Sequence, residues 1–114
     1  MIKKRYKKSK YNNKKAEYNG IKFDSKKERD YYIYLEGLEK AGEISDLKRQ
    51  VKFELQPGFT LKGKRIRAIN YYADFTYTTP DGHYHIVDTK GVRTEVYKIK
   101  KKIMQYQGYE IEEV

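Results

Sequence analysis

The chain has 114 residues and a formal net charge of +10, with 38% hydrophobic and 37% charged residues. This length fits one domain with a modest core. The lack of cysteine excludes disulfides and thiolate metal sites, and no apolar run approaches the roughly 20 residues that span a bilayer. Because the basic N-terminus also lacks the apolar segment of a secretory signal, we expect a cytoplasmic protein with no membrane partner.

The positive charge is concentrated at the N-terminus. Residues 1–16 contain eight basic residues and no acid, which leaves a net charge of +2 for residues 17–114. A basic segment of this kind favours a polyanionic partner such as nucleic acid, and the alternative is a solubilising tail. We predict a flexible arm over 1–16 and a single domain over 17–114. The basic residues of the arm are Lys3, Lys4, Arg5, Lys7, Lys8, Lys10, Lys14 and Lys15.

A hairpin and a helix are predicted first along the chain. Asn19-Gly20 is a turn signal between apolar residues, which predicts a hairpin over 15–23. Ser25 and Glu28 have the spacing of a capping box, and apolar residues recur behind them at helical spacing. We therefore expect a helix over about 26–41.

Strand patterns dominate the rest of the chain. They predict a strand before Pro57-Gly58, a hairpin around Lys62-Gly63, and a long strand that is joined to its antiparallel partner by a turn at 79–82. A lysine-rich helix over 94–106 and a final strand complete the pattern. The fold class is therefore α/β (α+β): a central mixed sheet flanked by helices, in the order α-β-β-β-α-β. The stretches read as the four main strands are LKRQVKFEL, NYYADFTYT, HYHIVDTK and YEIEEV.

Two aspartates lie in the paired strands on either side of the turn. Regular alternation puts the odd-numbered residues of 71–77 on one face and Asp74 on the other, while Asp88 and Lys90 share a face. Pairing through the turn would let Asp74 and Asp88 converge. Glu28 projects from the apolar face of the first helix, so it can reach the same region.

Three grouped carboxylates repel each other unless a cation joins them. Oxygen ligands favour a hard cation, so we predict a Mg²⁺ site, with Mn²⁺ as a substitute. Glu28, Asp74 and Asp88 are the predicted ligands and catalytic acids, and Lys90 would position or deprotonate a water. The alternatives are that Glu28 only caps its helix and that Asp88 and Lys90 form a surface ion pair.

These residues resemble a known nuclease signature. Asp74 followed by Asp88-Thr89-Lys90 is similar to the PD-(D/E)XK motif, and Glu28 matches an upstream helical acid that many members carry. Ala73 stands where the name of the superfamily has proline. The stretches NGIKFDSKKE, AGEISDLKRQVKFELQPGF, YYADFTY and VDTKG, spread over residues 12–114, resemble small phage-encoded proteins of this superfamily.

The resemblance implies a restriction-endonuclease-like core and a Mg²⁺-dependent endodeoxyribonuclease. It also implies a role in phage DNA recombination or processing inside the bacterial host cell, with DNA as partner. Small nucleases of this fold often act on branched DNA as dimers, so a homodimer that resolves Holliday junctions is the specific form we expect.

Two further groups of residues have competing interpretations. Lysines on the second predicted helix could hold a DNA backbone or form a solvated face. Together with the arm, they would suffice for a non-catalytic nucleic-acid-binding protein, which is the second hypothesis. His83 and His85 are interpreted as ordinary strand histidines, because two ligands are too few for a metal. The lysines are Lys98, Lys100, Lys101 and Lys102.

Overall fold

The computed structural model describes residues 15–89 and 92–114. The predictions for Lys90 and for the arm residues from Lys3 to Lys14 lie outside these ranges. In the part of the chain described, no helix is both long enough and apolar enough to cross a membrane.

The predicted first hairpin and helix are confirmed. Strands β1 (Ala16–Tyr18) and β2 (Ile21–Phe23) pair antiparallel through a turn in which Asn19 and Gly20 both have positive φ, 55° and 83°. This is the backbone geometry that makes Asn-Gly the preferred two-residue hairpin turn. Helix α1 (Lys26–Lys40) follows.

The central sheet has four strands in the order β3-β6-β7-β8. All neighbours pair antiparallel except β7 and β8, which are parallel, so the sheet is mixed as predicted. Strands β4 and β5 form the predicted separate hairpin. The strands are β3 (Ser45–Gln56), β4 (Phe59–Leu61), β5 (Lys64–Ile66), β6 (Ile69–Thr78), β7 (Tyr84–Asp88) and β8 (Ile111–Glu113), and the second helix is α2 (Glu95–Tyr106).

One helix packs on each face of this sheet. Consecutive strand residues point to opposite faces, and in β7 Val87 packs with Leu35 of α1 while Ile86 packs with Met104 of α2. The two apolar cores are thus separated by the sheet. The buried residues on the α1 side are Phe23, Leu35, Ile44, Phe75, Tyr77 and Val87, and those on the α2 side are Tyr71, Ala73, Ile86, Tyr97, Met104 and Ile111.

The expectation that the odd-numbered residues of 71–77 share one face is wrong. Ala73 packs in the α2 core, whereas Phe75 packs in the α1 core. The neighbouring strand changes face at the same level, because Leu47 belongs to the α1 side and Phe53 to the α2 side. The physical reason lies at Gln50, whose φ of +49° departs from extended geometry in the middle of β3.

Helix α2 does not bury the apolar residues that recur in it at helical spacing. Val96 and Ile99 are 61% and 58% exposed, while Tyr97 and Met104 are buried against the sheet. Tyr97 fits the sheet side because its hydroxyl donates a hydrogen bond to Glu113 of β8 at 2.7 Å. An apolar stripe therefore remains on the outer side of the helix.

Candidate active site

Glu28 is buried in the first turn of α1, where the sequence analysis expected it to face the core. The Ser25 hydroxyl accepts a hydrogen bond from the Glu28 backbone N–H at 3.1 Å, which is one half of a capping box. Glu28 Oε1 accepts from the backbone N–H of Asp24 at 3.3 Å, and Oε2 turns to the Gln50 amide at 3.1 Å. Glu28 therefore holds the residue before the N-cap with one oxygen and faces Gln50 with the other.

Gln50 connects two of the predicted acids. Its Nε2 donates to Glu28 Oε2 at 3.1 Å and to Asp74 Oδ1 at 3.4 Å, so both amide hydrogens point at carboxylates. Gln50 is exposed and has the left-handed φ noted above. Left-handed backbone at a non-glycine residue is strained, and such strain concentrates at functional sites. The sequence analysis missed this residue because a single polar residue in an alternating strand looks solvent-facing.

Asp74 is half-buried at the level where both strands change face. Its Oδ2 accepts from the backbone N–H of Thr89 at 2.8 Å and from the Thr89 hydroxyl at 2.7 Å. These two bonds fix the carboxylate from the end of the neighbouring strand, and Oδ1 faces Gln50. The sequence analysis assigned Thr89 no role of its own, since it is only the middle residue of the Asp88-Thr89-Lys90 motif.

Asp88 is the most buried of the three acids. It is 1% exposed, and its Oδ2 accepts a hydrogen bond from the Tyr71 hydroxyl at 2.6 Å. Burial, and then the hydrogen bond to Asp88, raise the pKa of Tyr71, so the phenol stays a proton donor. The β6–β7 register pairs Phe75 with Val87, and one further step in the same register sets Asp74 opposite Asp88.

The electrostatics of the site are those of crowded carboxylates. Burial, and next the nearby Asp74 carboxylate, raise the pKa of Glu28, although the Arg49 guanidinium acts in the opposite direction. Arg49 also lies over the Phe23 ring at 4.7 Å, which holds it on the α1 side. The site thus favours a proton or a cation beside Glu28.

The structure brings two of the three predicted ligands together. Glu28 and Asp74 share the Gln50 amide, whereas Asp88, opposite Asp74 in the extended register, is bonded to Tyr71 on the α2 side of the sheet. The oxygen donors suit Mg²⁺ by their chemistry, since hard cations take carboxylates and keep several waters. Asp74 is the most accessible of the three carboxylates.

A different group lies close enough together to hold a metal ion. Among the residues of 15–89 and 92–114, ligand atoms of His83, His85 and Glu112 all lie within 4.8 Å of one another. The interpretation of the two histidines as too few for a metal omitted a third ligand. Glu112 comes from β8, 27 residues after His85, so only the parallel pairing of β7 and β8 could reveal it.

The lysines of α2 do not form one ridge. Lys101 donates to Glu113 at 3.0 Å on the sheet side, and Lys98 pairs with Glu95 at 3.2 Å. Lys100 lies about 160° around the helix from Lys98, given about 100° per residue. There it borders a shallow pocket with Tyr71, the partner of Asp88. Of the four, only Lys102, which is exposed, lies on the same side of the helix as Lys98.

A sequence model of a protein family matches residues 8–114, nearly the whole chain. The family is DUF1064, described as a protein of unknown function. This chain belongs to DUF1064. No curated protein and no solved structure matches it. The function of this DUF1064 chain must therefore be proposed from the chemistry of its own residues.

Proposed function

We propose that this chain is a metal-dependent endonuclease that hydrolyses DNA phosphodiester bonds. One observation carries the proposal: Glu28 and Asp74, from different elements, face one amide group at the level where the sheet is distorted. Folding concentrates negative charge there at a cost in stability, and a bound cation would offset that cost. A purely structural site has no need for such crowding.

Each residue has a distinct part in the proposal. Glu28, Asp74 and Asp88 would hold Mg²⁺, or Mn²⁺ in its place, and Gln50 orients the first two. When bound, the ion lowers the pKa of a water and offsets charge on the phosphate. Tyr71 holds Asp88 by a short hydrogen bond, and Thr89 holds Asp74 by two. Lys90 as the residue that positions the water remains a prediction from the sequence.

The order of elements supports a restriction-endonuclease-like core. Helix α1, strands β3, β6 and β7, helix α2 and strand β8 follow the order α-β-β-β-α-β that the resemblance implies, with the hairpin β4–β5 added. In this frame the acids come from the start of α1, the middle of β6 and the end of β7. These are the positions that the resemblance to the PD-(D/E)XK motif assigns to them.

The basic residues support DNA as the substrate. Lys100 lies beside the pocket that Tyr71 lines, so its ammonium group could contact a phosphate near the acids. Lys98 and Lys102 offer charge on another side of α2, and the arm adds more. Lys15, the one basic arm residue in the described ranges, is exposed, with a long 4.0 Å ion pair to Asp24.

A homodimer is supported by the apolar stripe outside α2. Val96 and Ile99 border a groove with Ile69 of the adjacent strand, and all three side chains are exposed although apolar. Contiguous exposed apolar side chains usually mark an interaction surface. A second copy covering this stripe would place two sites on one DNA, as a junction-resolving enzyme requires.

The test is cleavage of four-way junction, linear duplex and single-stranded DNA with Mg²⁺, Mn²⁺ or EDTA. Asp74→Asn should lower cleavage at least about 100-fold with little effect on DNA binding, since it removes a metal ligand and keeps the shape. Asp30→Asn is the matched control, because Asp30 is an exposed aspartate on α1. It should cleave normally.

The competing hypothesis makes the opposite prediction. A non-catalytic nucleic-acid-binding protein would bind these DNAs in a salt-dependent way and cut none of them with any metal. That outcome, or equal cleavage by wild type and Asp74→Asn, would refute the nuclease. A preference for the four-way junction would support the junction-resolving form.

A further inference from the structure

A second cluster of metal-binding side chains lies on the other face of the sheet from Asp88. His85 shares the side of Val87, and Val87 pairs with Glu112 of β8 in the parallel register. His83 lies just before β7, and its ring lies against His85 with 4.4 Å between ring centroids. Ligand atoms of the three residues lie within 4.8 Å of one another.

The ring of His85 is held in one orientation. It stacks on Tyr77 with 4.7 Å between centroids and 11° between planes, and its Nε2 lies 3.1 Å from Thr79 Oγ1. The Thr79 hydroxyl hydrogen is directed at Asp81 Oδ1 at 2.6 Å, so Nε2 is the donor to Thr79. Nδ1 is then the nitrogen left to face Glu112.

His85 and Glu112 face each other across the two parallel strands. Nδ1 lies 2.5 Å from Glu112 Oε2, which is a hydrogen-bond distance. A metal ion bound by both atoms would replace this contact, because ligand atoms about 2.0–2.2 Å from a tetrahedral Zn²⁺ lie about 3.4 Å from each other, a separation that a small side-chain rotation supplies. With Nε2 anchored on Thr79, the arrangement is that of a metal-ligating histidine whose second nitrogen donates to an outer partner.

We propose that His83, His85 and Glu112 bind a divalent transition-metal ion of the Zn²⁺ class. Two imidazole nitrogens and one carboxylate are a common zinc ligand set and a poor one for Mg²⁺. His83 is exposed, so water can fill the remaining coordination position. The ion would tie β7 to the C-terminal strand β8, and this role does not depend on the proposed nuclease activity.

The composition makes the binding test specific for this cluster. The chain has two histidines and no cysteine, so every imidazole ligand must come from this cluster. Calorimetric titration of the full chain, free of any histidine tag, with Zn²⁺ in excess Mg²⁺ should give one site per chain. The visible spectrum of bound Co²⁺ should report nitrogen and oxygen ligands.

Two matched pairs of variants assign the site. His83→Gln and Glu112→Gln should each weaken Zn²⁺ binding at least about tenfold. Glu110→Gln is the control for Glu112, since Glu110 is exposed in the same segment, and Asp74→Asn controls for binding at the carboxylates. Both controls should bind Zn²⁺ as the wild type does.

Three results would overturn the proposal. The first is that His83→Gln binds Zn²⁺ as the wild type does. The second is that Asp74→Asn alone loses Zn²⁺ binding, and the third is that the wild type does not bind Zn²⁺. The last would show that His85 and Glu112 form a hydrogen bond and no metal site. If a variant loses its far-UV circular dichroism, imidazole NMR signals of the wild type decide: shifts of both histidines with Zn²⁺ support the site, and unmoved signals refute it.

Discussion

Replacing Gln50 separates the two roles that this residue has in the structure. Its amide joins Glu28 to Asp74, and its backbone is held at a φ of +49°. Gln50→Ala removes the amide and keeps the Cβ atom that makes this φ unfavourable. Gln50→Gly removes the amide and also relieves the backbone, because glycine adopts positive φ without steric cost. The pair therefore distinguishes positioning from strain.

The expected magnitudes follow from the contacts. The 3.1 Å bond to the buried Glu28 carboxylate is charge-assisted, and its loss should lower the free energy of unfolding by about 1.5 kcal/mol. The 3.4 Å contact to Asp74 is long and adds little. Left-handed backbone costs a non-glycine residue about 1 kcal/mol, so Gln50→Gly should be more stable than Gln50→Ala by about that amount.

Urea unfolding followed by circular dichroism measures the stabilities, and cleavage of labelled DNA measures function. A difference of about 1 kcal/mol corresponds to about 4–8 °C in Tm for a domain of this size. Both variants should lose cleavage by about 10- to 100-fold, because a residue that orients metal ligands typically has this effect. Gly37→Ala is a control without active-site contact, since a Cβ at Gly37 meets nothing within 4 Å.

Two results would refute this reasoning. If Gln50→Ala cleaves DNA as fast as the wild type, Gln50 does not position the acids. If Gln50→Gly is no more stable than Gln50→Ala, the left-handed backbone at this position stores no strain.

Three further predictions concern charge and association. Burial and then Asp74 raise the pKa of Glu28, so the folded state binds this proton more tightly than the unfolded state and the metal-free protein loses stability as pH rises through that pKa. Glu28→Gln removes this titration, although its amide nitrogen must face one of the two donors that Glu28 accepts, so in EDTA its stability should fall less with rising pH than that of the wild type. Urea midpoints with the same pH dependence in both proteins would contradict this. Hydrogen bonds from Tyr97 and Lys101 lower the pKa of Glu113 to about 2. The contribution of ionised Glu113 to the free energy of unfolding is therefore complete above its ordinary pKa of about 4.3 and is lost as pH falls through about 2. In acid titrations, the difference in free energy of unfolding between the wild type and Glu113→Gln should close over that range. Ile99→Asp should convert the proposed dimer to a monomer, as measured by light scattering. Gln105→Asp should leave the dimer intact, because Gln105 is exposed on another side of α2. A wild-type protein that is monomeric would refute the proposed interface.

The sequence was sufficient for the order of the elements, whereas the three acids as site residues stay a prediction. Local signals set both hairpins and α1: Asn19-Gly20 fits the positive φ of its turn, and Ser25 caps the helix. Glu28 was predicted to face the core because it lies on the same helical face as Leu35, and both are buried. Such patterns depend on neighbours within a few residues, so they can be read along the chain.

Long-range pairing decided the rest. Strands β3 and β6 both change face at the level of Gln50 and Asp74, so Phe75 enters the α1 core where alternation alone predicts the α2 core. The outward stripe of α2 looked like its core side, but the hydrogen bond of Tyr97 to Glu113 requires the other face. These outcomes depend on partners that are distant in sequence.

The sequence by itself thus determined which residue types could do chemistry, and the tertiary structure decided which of them meet. Asp74 and Asp88 could be predicted to lie opposite each other because a tight turn joins their strands. Gln50 and Glu112 could not be placed in this way, because each meets its partners only when strands distant in sequence pair. Side-chain chemistry is local to a residue, whereas a site is made by the contacts that the sheet register imposes.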